Sequence, residues 1–510
     1  MSRLLHLLVA LAALFAAAPA RADPADIAAA SRGVVRVVLV ASDGESVQYV
    51  GHGSGFAIAP TLVVTNAHVV EPARDDESML IGVVPSEGST GYLARIVAYS
   101  PRNDLALLRL VDKGSIAPLA LFPGAVGDGA EVFAVGYPGN VDLAQGLSLA
   151  EVVEPQSAVK SRGYISAGRS SRQFETLLHT APVGSGNSGG PLLDSCGRVI
   201  GVNSFGTISE GADSEFYFAV SIRELTSFLR EAGVTPRVAG MPCRSLAELE
   251  RAEAERLARE QGLSEAQARQ QAAAGARARD EAQRRAELEV ITERENGMAL
   301  AALLLVAALA AGGAAFLFEQ RGDRSKVKIA GGIAAALFVG AVVVWLLRPP
   351  LDSIDERAAA ALAEDEDRPA PADEGSNAGA MVCVFDPDRS RATISEVADV
   401  PLDWSAEGCV NGRTQYGLSG DGWSRVLVPN DEATVSVNRY DPKTRTYRVE
   451  RFLMSLEAMT AAREARGKLK TPSCGAGEQA AREFGAGMEA IKALLPPQPN
   501  ERLVYKCQKR

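Results

Sequence analysis

Histidine is scarce in this chain, which narrows where imidazole chemistry can reside. The 510 residues contain four histidines, and none lies beyond His179. Segment 381–510 therefore offers no histidine base or histidine metal ligand, and it shows no catalytic or metal-ligating constellation. A basic excess is missing as well. The 53 Lys and Arg against 63 Asp and Glu leave a net charge of −10, which gives no reason to expect a nucleic-acid partner. Extended or misfolded polypeptides fit such a surface better. Aromatic residues make up only 5% of a chain that is 47% hydrophobic, so alanine and valine carry most of the apolar content. No motif calls for a cofactor or a metal ion. Cysteine is sparse too, with six in the chain. Cys383, Cys409, Cys474 and Cys507 fall in the C-terminal part, where an even count points to two disulfides among three connectivities or else to free thiols. Cys196, in the turn Asp194–Gly197, and Cys243 remain as a further candidate pair.

What stands out against these absences is a turn crowded with glycine, Gly184-Ser185-Gly186-Asn187-Ser188-Gly189-Gly190-Pro191. A serine hydroxyl becomes a useful nucleophile only when a base takes its proton, and the charge that develops on the substrate oxygen needs preorganised N–H donors. Glycines let those N–H groups converge with no Cβ in the way. Ser188 is thus the candidate nucleophile, although the segment alone also reads as a flexible Gly/Ser loop. The base is found upstream. His68 ends the apolar run Leu62-Val63-Val64-Thr65-Asn66-Ala67-His68. Asp104 precedes the run Leu105-Ala106-Leu107-Leu108, as suits a partly desolvated carboxylate that holds a histidine tautomer. Taken singly, these two read equally as a core histidine and a turn cap. Together, in the order His, Asp, Ser, they match the two-barrel trypsin arrangement rather than the α/β-hydrolase or subtilisin orders.

The runs Gly53-Ser54-Gly55-Phe56, Thr65-Asn66-Ala67-His68-Val69-Val70, Asn103-Asp104-Leu105-Ala106-Leu107-Leu108, Gly136-Tyr137-Pro138 and Gly186-Asn187-Ser188-Gly189-Gly190-Pro191-Leu192 resemble the HtrA-like (Deg) branch of trypsin-fold serine proteases over residues 31–232. The resemblance implies an all-β double β-barrel with Ser188 as nucleophile, His68 as general base and acid, and Asp104 as orienting carboxylate. It implies an oxyanion hole from the Gly186 and Ser188 N–H groups, helped by Asn187. The run 201–206, with Asn203, Ser204 and Phe205, looks like the strand that pairs with an extended substrate. The specificity-pocket floor falls at Pro182, where no aspartate is present, so small or medium apolar side chains are expected. Glu215 is an alternative wall residue that favours a basic side chain, or else a surface glutamate. The run Val183-Gly184-Ser185 departs from the family's bulkier polar residues.

The N-terminus reads as an export signal over 1–22: a basic start at Arg3, an apolar stretch of about 15 residues, short of the ~20 that span a bilayer, and a small-x-small site before Asp23. Two later apolar runs, 298–318 and 329–347, reach the spanning length and carry no charge inside. The loop between them, 319–328, holds four basic residues and is assigned to the cytoplasm. The protease part and residues 381–510 then share the extracytoplasmic side of a bacterial inner membrane. Residues 244–296, rich in Ala, Glu, Arg and Gln, read as a solvated helical stalk broken at Gly262-Leu263-Ser264 into two helices, with weak self-association through coiled-coil pairing. HtrA proteins usually carry a PDZ domain here, and none is visible. Residues 348–380 read as an acidic Ala/Pro linker, and 381–510 as a small disulfide-containing α+β domain whose partner the sequence does not name.

Two functions follow from this reading. One is a membrane-tethered serine endopeptidase acting on envelope proteins, in quality control or regulated proteolysis. The other is a catalytically silent sensor or scaffold that binds peptides or partners through its protease-like and C-terminal domains.

Overall fold

The computed structural model describes residues 23–42, 47–76, 78–170, 174–207, 215–366, 378–420 and 422–510. The export signal over 1–22 lies outside the described residues, as does part of the linker, 367–377. The chain divides into two compact units, Met1–Ala254 with Ser376–Arg510, and Glu255–Gly375.

The first unit opens with helix α1 (Pro24–Ser31), whose N-terminus is capped by the Asp23 carboxylate. Strands β1 (Val34–Ser42), β2 (Val47–Ala59) and β3 (Leu62–Thr65) follow, then a single turn α2 (Ala67–Val70), then β4 (Met79–Pro85), β5 (Tyr92–Ser100) and β6 (Leu105–Leu110). These six strands close a barrel in the order β1-β2-β3-β6-β5-β4. Valine fills the inner positions of β1, as befits a β-branched side chain on a pleated buried surface. A second barrel is built from β7 (Glu131–Gly136), short helices α3 (Gly139–Gln145) and α4 (Leu149–Val152), then β8 (Val159–Ser170), β9 (Glu175–His179), β10 (Pro191–Asp194), β11 (Val199–Gly206) and β12 (Tyr217–Ser221). It closes as β10-β11-β12-β9-β8-β7, and helix α5 (Ile222–Glu231) follows. The trypsin-like double barrel expected from the motifs is therefore present.

Helix α6 (Leu246–Gln320) runs unbroken for 75 residues. The stop expected at Gly262 does not occur. A mid-helix glycine costs only about 1 kcal/mol against alanine, and the Ala/Glu/Arg-rich flanks on both sides favour helix. Ser264 Oγ, instead of capping a new helix, donates back to the Gln261 carbonyl at 2.9 Å. Stalk and first apolar run are thus one element. Helix α7 (Arg324–Leu346) begins only three residues after α6 ends, so the ten-residue loop shrinks to Arg321–Asp323. Both helices are long and apolar enough to cross a membrane, each holding an 18-residue window of mean hydropathy 2.4. The linker is not wholly irregular either, because α8 (Ser353–Glu366) forms within it. In this second unit Arg357 pairs with Glu293 at 3.0 Å, which ties α8 to α6.

The C-terminal portion is larger in sheet than "small α+β" conveys. It comprises β13 (Gly379–Phe385), β14 (Val400–Trp404), β15 (Cys409–Val410), β16 (Thr414–Gln415), β17 (Gly417–Ser419), β18 (Gly422–Leu427), β19 (Thr434–Asp441), β20 (Thr446–Leu453), α9 (Leu456–Lys468), α10 (Glu478–Lys492) and β21 (Glu501–Lys509). The nine strands form one sheet in the order β16-β15-β14-β13-β21-β20-β19-β18-β17. The last strand in sequence thus lies at its centre. One face gathers Trp404, Tyr440, Tyr447 and Tyr505; the other buries Val426, Val437, Phe484 and Met488 with α9 and α10. Cys383 pairs with Cys507 directly across β13 and β21, Cys409 with Cys474, and Cys196 with Cys243.

This sheet is packed on the double barrel, through contacts that no local motif announces. Asp26 of α1 forms a buried ion pair with Arg391, and its other oxygen accepts from Asn500 Nδ2 at 2.9 Å. Arg391 Nε donates to the Arg244 carbonyl at 2.6 Å, and Arg32 to the Leu453 carbonyl at 2.7 Å.

Candidate active site

His68 sits on the one-turn helix α2, directly after β3, and its neighbour Asn66 is fully buried. Asn66 Nδ2 donates to the Asp104 carbonyl at 2.8 Å and so fixes the loop that leads into β6. Asp104 adopts the left-handed region, with φ of 52°, which a short polar side chain tolerates better than most. Its carboxylate accepts from the His68 backbone N–H at 3.1 Å and lies 2.9 Å from His68 Nδ1. An ionised carboxylate can only accept, so Nδ1 carries the proton and Nε2 faces outward as a base. Burial alone would raise the Asp104 pKa. The hydrogen bonds from His68 and Ser204 outweigh it and hold the carboxyl below its ordinary value. His68 stays about half exposed, so a bound molecule can reach it.

Ser188 lies where the glycine turn leaves it, half-buried, with its carbonyl accepting from Ser54 N–H at 2.8 Å. Its hydroxyl does not donate to His68. It donates to the Ser204 carbonyl at 2.9 Å. The resting acceptor of the Ser188 hydroxyl is thus a backbone carbonyl of β11. Ser204 links the parts, because its own Oγ donates to Asp104 Oδ2 while its carbonyl holds Ser188. Expected to line a substrate, Ser204 is buried, with its side chain spent on Asp104.

The glycine turn presents open donors. Gly186 (φ +98°) and Gly189 (φ +89°) both need the conformation that glycine adopts most readily, and a Cβ on Gly186 would stand 2.4 Å from the Tyr137 carbonyl. Among the described residues no group accepts from the Gly186 or Ser188 N–H. Asn187 is not a third donor. Its N–H is given to the Gly184 carbonyl at 3.0 Å and its side chain is buried toward Gly136.

The expected substrate residues divide. Asn203 is withdrawn from that role, since its side chain donates to the Pro191 carbonyl at 2.9 Å and its backbone bonds to Gly189 and Gly190. Phe205 stays exposed, stacked on Phe218 with centroids 4.8 Å apart. Pro182 is exposed, and Glu215 accepts from the Tyr217 hydroxyl at 2.6 Å. Two residues escaped the sequence reading. Ser54 Oγ donates to the Gly186 carbonyl at 2.7 Å and accepts from Tyr137 N–H at 2.9 Å, so it fixes the turn from below. His52 packs beside the same glycine, with Nε2 2.9 Å from the Tyr137 carbonyl and Nδ1 2.5 Å from the Tyr49 hydroxyl. The carbonyl can only accept, which makes Nε2 the donor and the Tyr49 hydroxyl the donor to Nδ1. The run Gly53-Ser54-Gly55 was the available signal for Ser54; nothing local marks His52.

Known proteins share much of this geometry's sequence. Residues 53–202 match the Trypsin-like peptidase domain family. The Magnetosome formation protease MamE of Paramagnetospirillum magneticum is 34% identical over 186 residues, which cover 34% of this chain and 23% of that protein. Serine protease Rv3671c of Mycobacterium tuberculosis is 31% identical over 210 residues, 41% of this chain and 48% of its own length. Protease Do-like 1, chloroplastic, of Arabidopsis thaliana is 31% identical over 178 residues, 34% of this chain and 37% of its own. The chain thus spans less than half the length of each of these relatives. In every case the likeness covers less than half of this chain as well.

Proposed function

We propose that this chain, which carries a trypsin-like peptidase domain over residues 53–202, is a membrane-tethered serine endopeptidase that cuts extracytoplasmic polypeptides through an acyl-enzyme. One observation carries the reading. The oriented pair His68–Asp104 and the hydroxyl of Ser188 are both hydrogen-bonded to the one residue Ser204, and the turn that carries Ser188 holds two N–H groups with no protein acceptor among the described residues. In this mechanism a substrate carbonyl enters the glycine turn, and the Ser188 hydroxyl rotates from the Ser204 carbonyl to His68 Nε2. The imidazole takes the hydroxyl proton as Oγ bonds to the carbonyl carbon. Asp104 stabilises the resulting imidazolium without itself being protonated. Gly186 and Ser188 N–H groups receive the developing oxyanion, and His68 then hands its proton to the leaving amine. Water repeats the sequence on the acyl-enzyme.

The test uses the full chain in detergent. A fluorophosphonate probe should label the wild type and not Ser188→Ala, and that substitution should lower peptide turnover by about 10⁶. Absence of labelling in the wild type returns the chain to the scaffold reading.

The membrane part rests on the apolar stretches of α6 and α7 and on the basic residues of 319–328. In this reading both helices cross a bacterial inner membrane, with the protease and C-terminal sheet in the periplasm. A reporter fused after Arg510 is expected to be active only outside the cytoplasm. Substrates are then envelope proteins, in quality control or regulated proteolysis.

A further inference from the structure

Tyr217 occupies the space between the two backbone segments that a substrate side chain would enter. It is the first residue of β12 and pairs in register with Gly206, the last residue of β11, on one side and with His179 of β9 on the other. Its ring covers Gly206: a Cβ there would stand 3.0 Å from Tyr217 Cδ1 and 3.3 Å from Cε1. Beneath the ring lies His179, fully buried, at a centroid distance of 6.0 Å. The phenol donates to Glu215 at 2.6 Å and its oxygen faces the Val183 backbone N–H, five residues before Ser188. The side chain therefore reaches from the wall formed by β11 and β12 to the segment that carries the nucleophile. It is anchored at its root by the strand and at its tip by Glu215.

We propose that Tyr217 is a specificity-determining residue, a plug that restricts the side chain just before the scissile bond to glycine, alanine or serine. The proposal rests on the protease reading above. A substrate strand laid along β11 puts the carbonyl to be attacked at Ser188, and the side chain of that residue must enter between Gly206 and the run Val183–Gly186. The phenol ring and its hydrogen bonds fill that space. Glu215 is turned to the plug, so it does not select a basic residue. Removal of the ring would open a space over His179, its cross-strand partner, beside Val183 and Leu177, which pack on one apolar cluster of the second barrel.

The experiment measures kcat/KM for a ladder of peptides that differ only in the residue before the cut, from glycine through alanine and valine to leucine and phenylalanine. Full-length detergent-solubilised wild type, Tyr217→Ala and Tyr217→Phe are compared, with fluorophosphonate labelling of Ser188 as a separate readout. Each methylene that a pocket cannot accept is worth roughly tenfold or more in such ratios. Wild type should therefore favour alanine over leucine by at least about tenfold. Tyr217→Ala should reverse that ratio, whereas Tyr217→Phe, which retains the ring, should keep it. A wild type that prefers leucine or phenylalanine overturns the plug whatever the variants do. So does a labelled Tyr217→Ala with the wild-type ratio. If Tyr217→Ala fails to fold and takes no probe, the wild-type ladder together with Tyr217→Phe still decides. A wild type that neither labels nor cleaves sinks the protease reading itself, and the plug with it.

Discussion

Ser204 shows how one buried side chain can serve two others at once. Its hydroxyl donates to Asp104 and its carbonyl holds Ser188 at 2.9 Å, so the carboxylate and the nucleophile are registered against the same residue. A hydrogen bond to a charged group is worth about 1.5–3 kcal/mol. Ser204→Ala should therefore lower kcat by roughly tenfold or more with little change in KM, and Ser204→Thr, which keeps a hydroxyl, should recover much of it. Equal loss in both variants would point to packing rather than to the bond. His179 supplies a prediction of another kind. Burial lowers its pKa to about 4, whereas an unfolded histidine titrates near 6.5. The unfolded chain thus binds the proton more readily, and stability falls as pH drops from about 6.5 to about 4, by about 3 kcal/mol from this group. His52 is also depressed, chiefly by burial, and acts in the same direction. The melting temperature should fall between pH 7 and pH 4.5, and His179→Leu should flatten that fall. At this scale the sequence was most legible where chemistry dictates a motif. His68, Asp104 and Ser188 each sit in a local run that announces them. Tyr217 takes its place from Gly206 and His179, and His52 from the Tyr137 carbonyl, contacts between distant segments that no window of adjacent residues reveals.

Elements were legible according to how local their cause is. The strands around His68 and Ser188 follow from short apolar runs with glycine between them, and β13, β18 and β20 likewise form on short local runs of β-branched and apolar residues. Gly262 carries a stop signal in its own run, and the Ala/Glu/Arg-rich flanks on both sides outvote it. Its position inside α6 leads to a measurable outcome. Nothing lies within 4 Å of the place a methyl group on Gly262 would take, so Gly262→Ala is free of clash. That substitution should add about 1 kcal/mol of helix stability, seen as roughly fivefold slower amide exchange in the residues around it. Unchanged exchange would argue that the helix is already interrupted there.

At the scale of the whole molecule, the union of the double barrel with the nine-stranded sheet is the feature least visible in sequence. It turns on Asp26, Arg391 and Asn500, polar residues separated by 365 and 474 positions and unremarkable in their own segments. Breaking a buried ion pair by removing one partner costs about 3–5 kcal/mol, because the other charge is left uncompensated. Asp26→Ala should accordingly lower the urea midpoint and expose the junction between the two parts to limited proteolysis. Asp26→Leu combined with Arg391→Met should restore much of the loss. If the single and the double substitution were equally damaging, the pair would not be what joins them.

The central place of β21 also imposes an order on biogenesis. Both barrels can close once residues up to about 221 are available, but the nine-stranded sheet lacks its middle until 501–509 follow. Until then β13 and β20 each keep an open edge, and Asp26 lacks Asn500. The double barrel thus completes well ahead of the sheet it packs on, and in that interval a chaperone has two bare strand edges to shield.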